Sequence, residues 1–204
     1  MSSARVRNAR RAAALLAATL ALTAAAFGRQ GGGRAQASDG MTVFTGRYSN
    51  HRFGFGFLIP RGLRATGPPD GYPQDGVVIN LPAVGGGVAE IRVYGHYDVA
   101  FAGSARAQAE AELGYAREDA PAVKLLDRRV TRIGRFPAVR FSYEFKVKSS
   151  PETMICDHVV AFKNGGGEPD TFFHLRLETT RRRYSEDRKT FERVLRSWRA
   201  VPLL

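Results

Sequence analysis

The stretch that most limits what this chain can fold into runs from Arg140 to Lys148, where Phe141, Tyr143, Phe145 and Val147 alternate with Arg140, Ser142, Glu144 and Lys146. Successive side chains of a strand point to opposite faces, so this period gives one apolar and one polar face and predicts an antiparallel sheet with a covering layer. A second run of the same period comes early. Between Tyr48 and Pro60, Phe53, Phe55 and Phe57 alternate with Gly54 and Gly56, and Pro60 closes the run because it lacks a ladder donor. The expectation is one continuous core strand, its phenylalanines buried against a helix and its glycine face leaving room for close packing.

The rest of the chain resolves into elements that fit these two. Met41 to Phe44 reads as a short edge strand. Arg61 to Asp75 carries Gly62, Gly67, Pro68, Pro69, Gly71 and Pro73, a density of turn formers that predicts a loop with no regular element. Gly76 to Leu81 and Val88 to Asp98 read as strands joined by a turn over Pro82 to Gly87, with Ile91 and Val93 on one face and Glu90 and Arg92 on the other. Period and composition then change together. Ser104 to Arg117 is rich in Ala, Glu and Gln, which predicts a helix with Ser104 as N-cap and a small apolar face of Ala105, Ala109, Leu113 and Ala116. Residues 123 to 148 read as strand, tight turn at Ile133 to Pro137, and long strand. Thr153 to Phe162 and Thr171 to Thr180 form a further antiparallel pair across a glycine-rich loop. Ser185 to Arg199, with Ser185 as cap and Phe191, Val194, Leu195 and Trp198 at i, i+3, i+4 and i+7, predicts an amphipathic helix ending by Pro202. The fold class is α+β, an antiparallel sheet of about six to eight strands flanked by helices.

The N-terminus is different in kind. Arg5, Arg7, Arg10 and Arg11 precede an apolar run from Ala12 to Phe27, no acidic residue appears before Asp39, and Ala35-Gln36-Ala37 offers a small-residue cleavage site, with Ala24-Ala25-Ala26 as a second one. This is the pattern of a secretory signal peptide over residues 1–37, followed by a single domain over 38–204. Arg10-Arg11 also admits the twin-arginine export route. The segment before Ser38 holds six of the 31 basic residues and none of the 19 acidic ones, so cleavage lowers the net charge from +12 to +6. Half of the basicity is therefore targeting signal, and a nucleic-acid partner is not expected of an exported chain. Cys156 is the single cysteine, which excludes an internal disulfide and a lipid-anchoring cysteine near the cleavage site. The mature protein is expected to be periplasmic or secreted, without a transmembrane segment.

Four features resemble the PsbP-like superfamily, the α/β/α sandwich shared by the photosystem II extrinsic protein P and a Ran-binding nuclear-transport protein. They are Tyr48-x-Asn50-x-x-Phe53-Gly54-Phe55 closing at Pro60, Gln74-Asp75-Gly76 before a strand, Ile91-x-Val93-x-Gly95, and the finish from Phe172 through Tyr184 to Trp198. Together they span nearly the whole mature chain and look most like the exported bacterial members. The chain departs from the family habit with Trp198 in place of a phenylalanine and with Thr179-Thr180-Arg181 in place of a proline-containing turn. The resemblance implies a non-enzymatic binding or accessory domain that docks on a partner, either an envelope protein or an anionic surface. None of the matched residues is catalytic, and no cofactor is implied.

Chemistry-bearing residues are few. Cys156 and His158 share a face of one strand, and His174 lies on the next strand. An even-to-even register makes His158 and His174 neighbours and permits a Cys-His-His site for zinc or copper, whereas an odd register turns the pair toward Phe173, Leu175 and Leu177. The same residues are the alternative for a metal-dependent or thiol enzyme, although a mid-strand cysteine lacks the helix N-terminus or cations that activate a thiolate. Ser104 is not in a G-x-S-x-G context and reads as a cap. The glycine runs at Gly31, Gly85 and Gly165 are not followed by Lys-Ser/Thr and read as linker and turns, and the spacing of Asp70 and Asp75 matches no calcium loop. Arg181, Arg182, Arg183, Lys189, Arg193 and Arg196 gather around the last helix. They are the candidate contacts for an acidic partner or an anionic envelope surface, set against a reading in which acidic neighbours make this simply the wet face.

Overall fold

A computed structural model describes residues 41–68, 76–82, 89–100, 102–120, 122–147 and 152–203. The signal-peptide expectation, Asp70, Asp75 and the glycine run at Gly85 lie outside them. Asp39–Leu204 forms one compact unit. Its strands are β1 (Thr42–Phe44), β2 (Arg47–Asn50), β3 (Phe55–Leu58), β4 (Ala65–Gly67), β5 (Gly76–Asn80) and β6 (Glu90–Tyr97), followed by helix α1 (Ala105–Asp119). Then come β7 (Lys124–Ile133), β8 (Phe136–Lys146), β9 (Thr153–Lys163), β10 (Thr171–Thr180), helix α2 (Tyr184–Ser197) and β11 (Arg199–Ala200). Eight strands make one antiparallel sheet in the order β1-β4-β5-β6-β10-β9-β8-β7, and β11-β3-β2 make a separate three-stranded sheet.

The two faces of the large sheet bury different side chains. On one face Ile79, Ile91, Val93, Phe173, Leu175 and Leu177 pack against Phe55 and Phe57 of the small sheet and against Phe191, Val194 and Trp198 at the end of the chain. Burying each aromatic or aliphatic side chain of this set contributes about 1.5–3 kcal/mol. The opposite face receives α1. Its small residues Ala105 and Ala109, together with Leu113, lie on Phe141, Tyr143, Val160 and Phe172. Ser104 Oγ accepts a hydrogen bond from Ala107 N at 3.1 Å, the expected N-cap. The result is an α/β/α sandwich whose second outer layer also carries the small sheet.

Three expectations are corrected. The run from Tyr48 to Pro60 is a hairpin rather than one strand. Asn50 Oδ1 accepts from Phe53 N at 3.0 Å and Gly54 takes φ +69°, so the chain reverses between β2 and β3 while Phe53, Phe55 and Phe57 stay buried. A strand, β4, lies inside the predicted loop and pairs with β1 and β5, because tertiary pairing outweighs the local density of turn formers before Pro68. The last helix starts at Tyr184 with Arg183 as N-cap and no side-chain cap bond, so Ser185 is inside its first turn. It ends at Ser197, and Trp198 returns to extended backbone and leads into β11.

Candidate functional site

Beneath α1, alternation on three neighbouring strands puts polar side chains where a sheet face is normally apolar. On β6 these are Glu90, Arg92, Tyr94 and His96, opposite to Ile91 and Val93. On β10 they are His174, Arg176 and Glu178, and on β9 they are Cys156 and His158. The registers align Tyr94 with His174, Arg176 with His158, and Glu178 with Cys156. Even residues thus pair with even, and the histidines become diagonal neighbours across the sheet.

They form a chain. His158 Nε2 lies 3.0 Å from His174 Nδ1, His174 Nε2 lies 2.9 Å from His96 Nε2, and His96 Nδ1 lies 2.9 Å from the Tyr97 carbonyl. The carbonyl only accepts, so His96 Nδ1 carries a proton. With the rings neutral, His96 Nε2 then accepts from His174 Nε2–H, and His174 Nδ1 accepts from His158 Nε2–H. Burial holds His158 and His174 well below the usual imidazole range, and the nearby Arg176 charge pushes them the same way. Tyr94 stacks on His174 with ring centroids 4.6 Å apart.

The helix adds the carboxylate. Glu112 Oε1 approaches His174 Nδ1 at 3.9 Å and accepts from Gln108 Nε2, one turn earlier on α1, at 3.0 Å. Burial raises the Glu112 carboxyl above the ordinary range, opposed in part by Arg176 and by the Gln108 hydrogen bond. Its side chain is 20% exposed, whereas that of His174 is fully enclosed. Glu112, His158 and His174 each offer one ligand atom, and the three atoms lie within 4.8 Å of one another.

Of the residues singled out by sequence, His158 and His174 are thus brought together and Cys156 is set apart. The cysteine sits between Tyr143 and Glu178 on its neighbouring strands and is fully buried. Burial pushes its thiol up to about 12, opposite to the shift that makes a nucleophilic thiolate. His96 and Glu112 were not foreseen. The alternation of β6 already puts His96 on the face of Arg92, but only the β6-β10 adjacency brings it to His174. Glu112 would have needed the rotation of α1 about its axis.

The basic residues divide into two groups. Arg181 pairs with Glu144 at 2.7 Å, Arg182 with Glu152 at 3.5 Å, and Arg183 with Asp187 at 2.8 Å. Lys189, Arg193 and Arg196 are exposed along one side of α2. Among the described residues, no helix is long and apolar enough to cross a membrane.

No protein-family model and no curated protein matches the sequence. Among the solved structures that superpose on it over most of their length are two that represent the fold. LpqN of Mycobacterium tuberculosis, described as involved in cell envelope biogenesis, gives a TM-score of 0.54 at 10% identity, covering 81% of this chain and 87% of its own. Cyanobacterial PsbP (CyanoP) from Synechocystis sp. PCC 6803 gives a TM-score of 0.50 at 16% identity, covering 84% and 98%. At such identities the likeness is one of architecture, and the architecture of this chain is the PsbP-like fold.

Proposed function

We propose that this chain is an exported, non-enzymatic binding domain that works at the cell envelope by docking on a partner. The observation that carries this reading is the signal-peptide pattern, an Arg-led apolar run followed by Ala35-Gln36-Ala37, directly ahead of a compact PsbP-like unit. Involvement of the similarly folded LpqN in cell envelope biogenesis supports the same compartment. The side chains best placed for nucleophilic chemistry favour binding over catalysis, since the Cys156 thiol is enclosed and the Ser104 hydroxyl is committed to its cap. The test is N-terminal sequencing of the protein recovered from the envelope or medium of its native host. A chain starting at Ser38 is expected, and an intact Met1 chain confined to the cytoplasm would overturn the reading.

Within it, the docking face we assign is the exposed stripe of Lys189, Arg193 and Arg196, spaced to lie along one side of α2. Arg181, Arg182 and Arg183 contribute less to an outside partner because each already faces a carboxylate of its own chain. Reversing Lys189 and Arg193 to Glu should abolish salt-sensitive retention by an anionic surface at low ionic strength. Retention that is unaltered by the reversal would remove the stripe from the interface.

A further inference from the structure

The buried histidine chain is built in a way that its packing role does not require. We propose that Glu112, His158 and His174 bind one divalent transition ion, with His96 as the positioning residue behind His174. Two imidazole nitrogens and one carboxylate oxygen suit zinc, cobalt or copper rather than magnesium or calcium, which take all-oxygen shells. The inference holds whether or not the chain is exported.

Three observations carry it. The first is geometry. Zinc–nitrogen bonds of about 2.0–2.1 Å in a tetrahedron put ligand atoms about 3.3 Å apart. His158 Nε2 and His174 Nδ1 stand at 3.0 Å, Glu112 Oε1 at 3.9 Å from His174 Nδ1, and all three within 4.8 Å of one another, so side-chain rotations that draw Glu112 toward the two imidazoles complete the set. The second is tautomer. Metal-bound histidines almost always donate their other N–H to a fixed acceptor. His174 does so before any ion arrives: its Nε2–H points at His96 Nε2, His96 is held by the Tyr97 carbonyl, and the Nδ1 lone pair of His174, which accepts from His158 Nε2–H in the ion-free chain, is released for a ligand bond once that hydrogen bond opens. For His158 the only change needed is to move its proton from Nε2 to Nδ1.

The third is charge. Arg176 is a cation on the same face, but it is ion-paired with Glu178. Arg92 is likewise paired with Glu90. Glu112 supplies the one anionic ligand atom of the cluster, beside two imidazole nitrogens. Its partial exposure also gives the ion a way in from solvent at the edge of α1. Cys156, the residue that first suggested a metal, takes no part.

The test uses the purified full chain, stripped with a chelator and titrated with Zn²⁺ by calorimetry and with Co²⁺ by visible absorption. One equivalent of each is expected, with the intense ligand-field bands of four-coordinate Co²⁺ and a zinc-dependent rise in melting temperature. Glu112→Gln should weaken binding at least about 10-fold, and His96→Gln by about 10–100-fold, the usual effect of removing an outer hydrogen-bond partner. His51→Gln is the control, since His51 is exposed and is the only other histidine of the sequence. Should Glu112→Gln fail to fold by circular dichroism, His96→Gln decides alone. A folded chain that shows no Co²⁺ bands would overturn the proposal, as would binding that disappears in His51→Gln and persists in the other two variants.

Discussion

Cys156 and His158 are two residues apart on β9 and face the same way, yet their surroundings give them different chemistry. His158 meets other imidazoles, whereas Cys156 meets Tyr143, Arg176 and Glu178 and has no exposed surface. The native thiol should therefore resist a small alkylating reagent for hours and react within minutes once the chain is unfolded in denaturant. Rapid, stoichiometric labelling of the folded protein would show that β9 opens there. Their shared face was legible from period-2 alternation. The register that joined His158 to His174 was not, because a one-residue slip across the loop at residues 164–170 exchanges the two faces and nothing local decides it. Gly54 makes the same point from the opposite side. Its place in an alternating run was read as strand, but its φ of +69° makes it the pivot of a turn. A Cβ there would stand 2.9 Å from Leu203 Cδ2 and 3.0 Å from the Val201 carbonyl oxygen. Gly54→Val is expected to cost about 2 kcal/mol or more, from the left-handed backbone and the clash together. In a domain of this size that lowers the melting temperature by roughly 4–8 °C.

At the scale of elements, β8 shows how far alternation carries. It correctly marked an apolar and a polar face, but polar did not mean wet. Arg140, Ser142 and Glu144 are all buried, because α2 lies across that end of the sheet. Arg140 donates from Nε and Nη2 to both oxygens of Asp157 at 2.8 and 2.7 Å and from Nη1 to Glu192 of α2 at 2.6 Å, while Tyr184 Oη donates to Asp157 at 2.8 Å. One guanidinium thus ties β8, β9 and α2 together. Removing it leaves Asp157, whose side chain is only 1% exposed, with the Tyr184 hydroxyl and with Arg188 Nε at 4.0 Å in place of a bidentate partner. Arg140→Ala should accordingly cost about 3–5 kcal/mol in denaturant unfolding, and replacing both partners by apolar residues of similar volume, as Arg140→Met with Asp157→Leu, should recover much of that loss. A loss below about 1 kcal/mol in the single variant would mean that water reaches Asp157 and that the pair is not holding α2. Helix placement itself was legible from the i, i+3, i+4, i+7 spacing of Phe191 to Trp198. The capping serine was not the right one, since Glu186 and Asp187 already answer the dipole of the first turn and Asp187 also accepts from Thr179 Oγ1 at 2.5 Å.

Over the whole molecule, the least legible feature is the meeting of residues far apart in sequence. Nothing in Arg199-Ala200 announces a strand, yet these two residues pair with Gly56 and Phe55, Val201 N donates to the Gly54 carbonyl at 2.9 Å, and Leu203 lies against Gly54. The tail closes the small sheet over the early hairpin, and Trp198 stacks on Phe55 with ring centroids 6.5 Å apart. Deleting the chain from Arg199 onward should therefore leave both sheets' internal strands intact while uncovering Phe55, with a cooperative unfolding transition several degrees lower. The sharper expectation concerns coupling. In the full chain Gly54→Val suffers from backbone strain and from collision with Leu203 and the Val201 carbonyl, but in the shortened chain the second cost has no source. The two changes share a contact, so they should be less than additive, with Gly54→Val costing only about 1 kcal/mol in the shortened chain, the penalty of the left-handed backbone alone. Equal costs in both backgrounds, measured by denaturant unfolding, would mean that the tail does not pack on the hairpin and that the small sheet has two strands rather than three.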